Sequence, residues 1–182
     1  ESLHEHEYLG HGRRLYQNSI RVPCVLRASG VAPGRSNAPV RMIDIAPTLL
    51  ALAGLPPMKD MLGIDLMKHS PPADRARVVE TYGGAVPGVP GAKAVMASRP
   101  PMRQSVIKGE WKLIIGGPGP ELFNIRDDPE ERNDLVAREK PRVEELRAII
   151  EEWDTKIPKG TAEAAELTNE DVDALKSLGY VE

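Results

Sequence analysis

The sequence predicts the α/β fold class, with an α/β piece followed by a small antiparallel sheet and C-terminal helices. Three observations predict it. A short apolar run near the N-terminus precedes a helical repeat. Two β-type runs in the second half flank a tight turn. In the last quarter, apolar residues recur every three or four positions, as on one face of a helix.

The first piece depends on one strand and one helix. Residues 22–26 are almost continuously apolar, which predicts a strand buried on both faces of a parallel sheet and makes Cys24 an inert core residue. Residues 44–53 predict a helix that follows an N-cap at Asp44 and has three apolar residues on one face, Ile45, Leu49 and Leu52. One strand and one helix cannot close a core, so we expect a missing N-terminal part.

The second piece has an antiparallel pattern followed by helices. Residues 104–107 and 111–115 flank a Lys-Gly-Glu turn and predict a hairpin, and residues 121–125 predict a third strand. A helix should open at Pro141 with an apolar stripe made of Val143, Leu146, Ile150 and Trp153. A capping-box pattern predicts a last helix from Thr168.

These elements predict three regions. Residues 1–69 hold the α/β piece, residues 70–100 form a Pro/Gly-rich connection, and residues 101–182 hold the antiparallel sheet and the helices. Within the loop-like connection, residues 77–82 are a short β-type run.

Composition excludes several classes of protein. The chain has 182 residues, 24 Lys and Arg against 27 Asp and Glu, and a net charge of −3, so nothing indicates a nucleic-acid partner. One cysteine cannot form an internal disulfide or a Cys-rich zinc site. Apolar runs are too short for a membrane span. Periplasmic and cytoplasmic localisation both stay open.

The chemistry-bearing residues lie near the start of the chain. His4, His6 and His11 alternate with glutamates, and such groups can carry protons or bind a metal, although a solvated polar loop is the alternative. His11 lies between Gly10 and Gly12 and is followed by Arg13 and Arg14. An imidazole and two guanidiniums on flexible backbone can hold a sulfate or phosphate ester through charge-assisted hydrogen bonds.

Four ordered blocks resemble the sulfatase family of the alkaline phosphatase superfamily. Residues 10–23 carry Gly-His-Gly, then Tyr-x-x-Ser-x-Arg-Val-Pro, and residues 44–54 are similar to the helix that follows in that family. Residues 121–135 resemble its C-terminal block Glu-Leu-Tyr-Asp … Asp-Pro-x-Glu-x-x-Asn-Leu. Residues 175–181 resemble the tail of many bacterial members.

The resemblance implies an active site that is divided along the parent protein. Residues 1–69 would be the C-terminal remnant of an alkaline-phosphatase-like α/β catalytic domain. The formylglycine nucleophile and the ligands of a divalent cation, usually calcium, belong to motifs that we expect before Glu1. We therefore expect this chain alone to hold no metal and to be inactive.

The resemblance also assigns roles to residues of this chain. His11 matches the Lys or His that contacts the sulfate oxygens, which makes it the predicted catalytic residue. His6 matches a second His of some members, and His6, Arg13 and Arg14 are the predicted substrate-binding residues.

The predicted function is that of the C-terminal part of a sulfatase that hydrolyses sulfate monoesters of a small molecule or glycan. The alternatives are a phosphonate or phosphate ester hydrolase of the same superfamily and a non-catalytic C-terminal packing module. The N-terminal portion of the same protein is the expected partner.

Overall fold

The computed structural model describes residues 2–10, 12–82 and 102–157, together with positions 169, 172 and 173. Two sheets and three α-helices are defined there. The strands are β1 (Ser2–Leu3), β2 (Leu9–Gly10), β3 (Arg77–Thr81), β4 (Arg103–Lys108), β5 (Trp111–Gly116) and β6 (Glu121–Asn124). The helices are α1 (Gln17–Ile20), α2 (Ile45–Leu52) and α3 (Lys140–Lys156), and two 3₁₀ turns span Glu5–Glu7 and Met42–Asp44.

The larger sheet has four antiparallel strands in the order β3-β4-β5-β6. Its centre is the predicted hairpin, and the pairing of Lys108 with Trp111 leaves Gly109 and Glu110 as the turn. Gly109 has a φ of 58°, which the tight turns of hairpins require and which glycine adopts without a steric penalty. The hairpin and the third strand are therefore confirmed. Strand β3 lies within residues 70–100 and joins the sheet beside β4.

One face of this sheet is covered by α3. The helix begins next to Pro141 and buries Val143, Leu146 and Ile150 against three strand residues, Val106, Leu113 and Leu122. Each side chain buried in this way contributes roughly 1.5–3 kcal/mol of hydrophobic stabilisation. The predicted α3 stripe is confirmed at these three positions, and Trp153 lies half-buried with the Arg41 guanidinium 5.5 Å from its ring centroid.

The opposite face of the sheet is covered by the N-terminal segment. Leu15 and Tyr16 pack there against Ile114 of β5 and Phe123 of β6. The sheet is therefore covered on its two faces by segments that lie more than a hundred residues apart in the sequence.

The Asp44 carboxylate joins the segment 61–76 to the start of α2. Asp44 is fully buried, and its two oxygens accept hydrogen bonds from the Arg75 guanidinium at 2.7 and 2.9 Å. They also accept the backbone N–H groups of Arg41 and Ile64 at 2.8 and 3.0 Å. Asp44 does precede α2 as predicted, but its side chain makes no cap hydrogen bond to the helix.

The prediction of a buried strand over residues 22–26 is wrong. These residues have no regular secondary structure, the side chain of Val25 is 92% exposed, and Cys24 is exposed rather than buried. A parallel strand needs a neighbour to receive its hydrogen bonds. Within the described residues, the four strands of the larger sheet pair with one another, and none pairs with this segment.

The α/β class, with an antiparallel sheet and a C-terminal helix, is confirmed. The three regional boundaries stay a prediction. Positions 169, 172 and 173 are helical, and the rest of the predicted last helix lies outside the described residues. In the described part of the chain, no helix combines the length and the apolarity needed to cross a membrane.

Candidate functional site

The candidate site is built on a tight loop at the start of the chain. Strands β1 and β2 pair antiparallel, with Ser2 opposite Gly10 and Leu3 opposite Leu9. Between them the backbone takes left-handed φ angles at His4 (97°), His6 (52°) and Glu7 (53°). The segment between the two strands is not extended, because it passes through the 3₁₀ turn Glu5–Glu7.

The Glu5 carboxylate organises this loop. It accepts the Leu3 backbone N–H at 2.6 Å and the Ser2 hydroxyl at 3.1 Å, and the Asn18 amide donates to the same Ser2 oxygen at 3.0 Å. Hydrogen bonds from its own backbone N–H and from that of Leu3 hold the pKa of Glu5 below its usual value. The negatively charged Glu5 side chain is thus linked to Asn18 of α1 through the Ser2 hydroxyl.

His6 lies against the aromatic ring of Tyr16. The two ring centroids are 3.6 Å apart and the ring planes differ by 8°, so one face of the imidazole is covered. Tyr16 itself is buried and meets Phe123 edge-to-face at 6.1 Å. His6 stays half-exposed, which leaves part of its ring open to a ligand.

The hydroxyl of Tyr16 is tied to the sheet. It donates a 2.6 Å hydrogen bond to Glu121 at the start of β6, and the other oxygen of Glu121 lies 3.6 Å from the Arg103 guanidinium of β4. Burial, followed by the hydrogen bond to Glu121, raises the pKa of Tyr16 above its usual value. The phenol therefore stays protonated and keeps donating at neutral pH.

A buried ion pair lies beneath the same ring. Lys112 of β5 donates to Glu131, and both side chains are almost completely buried. The second oxygen of Glu131 accepts the backbone N–H of Gln17, the first residue of α1, at 2.5 Å. The Lys112 ammonium is also 6.0 Å from the centroid of the Tyr16 ring. Burial lowers the pKa of Lys112, and the charge of Glu131 opposes that effect.

The predicted anion-binding residues fall beside this cluster. His11 lies outside the described residues. The carbonyl of Gly12 accepts a hydrogen bond from the hydroxyl of Thr81, which attaches this part of the loop to the end of β3. The Arg14 guanidinium is 6.0 Å from the centroid of the Tyr8 ring, and its charge acts on Tyr16. Arg13 is exposed.

The structure therefore stacks His6 on Tyr16, while Arg14 lies beside the ring of Tyr8. His4 is exposed, with its backbone N–H bonded to the Tyr8 carbonyl. Sequence reasoning missed Lys112, Glu131, Glu121 and Arg103. Lys112 could have been found from the sequence, because it is a lysine within an apolar strand. It lies two residues before Ile114 and therefore on the same face of the sheet.

The described residues do not fit the calcium ion that the family resemblance implies. No group of three or more His, Cys, Asp or Glu side chains among them is placed to hold a metal ion.

The chain is similar in sequence to two curated sulfatases. The chain is 31% identical over 130 residues to choline-sulfatase of Rhizobium meliloti (strain 1021), a match to 70% of this chain and 23% of that protein. It is 23% identical over 146 residues to the uncharacterized sulfatase YidJ of Escherichia coli (strain K12), covering 75% of this chain and 26% of that protein. No family model matches the chain.

Two solved structures are also similar. One is the structure of a protein in complex with its substrate, D-glucosamine-2-N,6-O-disulfate. That protein is 22% identical to this chain, with a TM-score of 0.47, and the match covers 62% of this chain and 23% of that protein. The other is a 2-O GAG sulfatase; it is 23% identical, with a TM-score of 0.44 over 62% of this chain and 24% of the other.

The two curated relatives, matched over 70% and 75% of this chain, are both named as sulfatases. The chain belongs to the sulfatase family, to whose C-terminal portion it corresponds. It spans about a quarter of the length of the curated relatives that it matches.

Proposed function

We propose that this chain is the C-terminal portion of a sulfatase that hydrolyses sulfate monoesters of a small molecule or a glycan. The observation that carries the proposal is the 31% identity to choline-sulfatase over 130 residues. In this proposal a formylglycine nucleophile and a divalent cation, usually calcium, belong to the N-terminal portion of the parent protein.

In this proposal, the chain's own residues hold the ester anion. Arg13 and Arg14 supply guanidinium groups that form charge-assisted, bidentate hydrogen bonds with sulfate oxygens. His6 offers the free part of its ring beside them. His11 contacts the sulfate oxygens and stabilises the charge that develops there and on the leaving oxygen, a form of electrostatic catalysis.

The surface of residues 22–67 supports a partner for the chain. Several large apolar side chains are exposed there, among them Val22, Val25, Leu26, Met42, Leu49, Leu55 and Met58. A cavity of about 660 Å³ also opens between residues 17–24, residues 40–45 and strand β3. This many exposed large apolar side chains favour an interaction surface, and the N-terminal portion of the parent protein is the occupant that this proposal requires.

The test compares the pure chain with the complete parent protein. The 182-residue chain should not hydrolyse 4-nitrophenyl sulfate in the presence of calcium, whereas the complete protein should hydrolyse it, and faster than 4-nitrophenyl phosphate. Turnover by the pure chain would contradict the divided site. A preference for the phosphate or a phosphonate ester would favour the alternative hydrolase, and the absence of all turnover would favour a packing module.

A second prediction concerns His11 in the complete protein. We expect His11→Ala to lower kcat for sulfate ester hydrolysis by about 100-fold or more, the effect of removing one group that stabilises transition-state charge. The control is His69→Ala, which alters an exposed histidine in the segment after α2. Unchanged turnover in His11→Ala would remove His11 from the site.

A further inference from the structure

The conformation of His6 is held by its surroundings. Its left-handed backbone lies between two other left-handed non-glycine residues, His4 and Glu7. Backbone strain of this kind costs on the order of 1–3 kcal/mol per residue and persists only where contacts enforce it. Such strain clusters at functional sites, so the left-handed backbone marks His6 as a candidate site residue.

Tyr16 makes the contact that fixes the imidazole. With the ring centroids 3.6 Å apart and the planes almost parallel, the Tyr16 ring prevents the His6 side chain from rotating toward the sheet. An isolated surface histidine would sample several rotamers, whereas a stacked one keeps its exposed part facing a single direction.

Tyr16 is in turn fixed at both ends of its side chain. The buried ring rests on Phe123, and the hydroxyl is bonded to Glu121. Arg103 is nine-tenths buried, and its Nη1 atom has no hydrogen-bond partner among the described residues beyond the 3.6 Å ion pair with Glu121. The strands thus hold the phenol in place, and the phenol holds His6.

We propose that Tyr16 is a positioning residue of the sulfate-ester site: it clamps the His6 imidazole in one orientation, and Glu121 with Arg103 fixes Tyr16 to the sheet. The ligand that His6 would contact rests on the proposed function. The positioning of His6 by Tyr16 rests only on contacts within this chain. The positioning role and the proposed sulfatase function can therefore be refuted separately. In this proposal the antiparallel sheet positions a residue of the site, in addition to packing against α3.

The first experiment tests the clamp in the 182-residue chain by NMR. Ring currents of Tyr16 should shift the His6 ring protons, identified by their loss in His6→Gln, upfield of free imidazole. Tyr16→Leu should return them to free-imidazole positions, and Tyr16→Phe should keep them shifted. The control is Tyr82→Leu, which changes a more exposed tyrosine bonded to Glu80. Unshifted His6 signals in the unaltered chain would overturn the proposal.

The second experiment tests positioning in the complete protein. Tyr16→Leu should lower kcat/KM for 4-nitrophenyl sulfate by up to about 100-fold, as expected from misplacing a binding group by an ångström. Tyr16→Phe keeps the stack and should lower kcat/KM by only about tenfold, because it loses only the hydrogen bond to a charged partner.

A double-mutant cycle separates positioning from general damage to the fold. If Tyr16 acts through His6, the double variant His6→Gln/Tyr16→Leu should be no slower than His6→Gln alone. Additive losses would overturn the proposal. Should Tyr16→Leu fail to fold, Tyr16→Phe decides, because an unchanged kcat/KM in that variant would contradict a tether through Glu121. A complete protein without sulfatase activity would refute the proposed function, and the NMR result would still decide the clamp.

Discussion

Lys112→Met should lower the free energy of unfolding of the chain by about 3–5 kcal/mol, the usual cost of removing one partner from a buried ion pair. Methionine fills much of the volume of the lysine stem, so little of this loss comes from a cavity. The loss arises because Glu131, which is 3% exposed, keeps its charge and one hydrogen bond from Gln17 but loses its counter-ion. Urea unfolding at neutral pH measures the effect.

Two further variants make this prediction specific. Lys108→Met removes an exposed ion pair between β4 and Glu145 of α3 and should leave the urea midpoint nearly unchanged. The double variant Lys112→Met/Glu131→Leu removes both charges and should recover much of the stability, since a buried pair replaced by apolar residues is often neutral. A Lys112→Met variant as stable as Lys108→Met would show that the pair does not hold the N-terminal segment on the sheet.

Asp44→Asn should destabilise the region around α2 by a similar amount, about 3–5 kcal/mol, because it leaves the Arg75 guanidinium without its counter-ion. The Asp44 side chain is fully buried and receives four hydrogen bonds, two of which come from backbone N–H groups. Hydrogen exchange should report the change directly, since the amide of Ile64 bonds to Asp44 and should exchange about 100-fold faster or more.

The contribution of Asp44 should also depend on pH. Burial alone would raise the pKa of Asp44, but hydrogen bonds from Arg75 and from the backbone of Ile64 and Arg41 outweigh it and hold the pKa below its usual value. A carboxyl group with a lowered pKa in the folded state stabilises the fold above its unfolded pKa of about 3.9 and loses that contribution as the pH falls through the folded value. The stability difference between the unaltered chain and Asp44→Asn should therefore be constant from pH 7 to about 5 and shrink below about pH 4.

Glu152→Gln is the matched control for Asp44, since Glu152 pairs with Lys156 on the exposed face of α3. It should leave the exchange of the Ile64 amide unchanged. A difference between the unaltered chain and Asp44→Asn that stays the same down to pH 3 would contradict the assignment of the pH dependence to this carboxyl group.

The second half of the fold could be predicted because its signals are local. The turn at Gly109 and the alternation around it define the hairpin, and the spacing of Val143, Leu146 and Ile150 defines α3. Each of these patterns lies within about fifteen residues and agrees with the contacts that the sheet and helix make.

The segment after α1 shows why the same reasoning failed elsewhere. The apolar run at residues 22–26 resembles a buried strand, but burial depends on a neighbour that no local pattern encodes. In the described residues this run is exposed, as is Leu49, which was expected on the apolar face of α2. The sequence pattern shows that these residues are apolar, but it does not show which part of a protein would cover them.

The candidate site was predicted in part. The sequence block at residues 10–23 indicated that the N-terminal loop belongs to the site. The roles of His6, His11, Arg13 and Arg14 stay predictions. The groups that position the loop were missed because each pair joins distant positions, as in the hydrogen bonds of Tyr16 to Glu121 and of Gln17 to Glu131, which span 105 and 114 residues. A single sequence offers no spacing rule for such pairs.

The covering of one face of the sheet by residues 15–16 also has a kinetic consequence. Strands β4 to β6 and α3 are neighbours in the sequence and can assemble early, because short loops close at little entropic cost. Leu15 and Tyr16 are synthesised before the surface that they bind, because Ile114 and Phe123 leave the ribosome about a hundred residues later. Docking of residues 15–16 on the sheet should therefore be among the last steps of folding, so that the sheet and α3 form before the candidate site does.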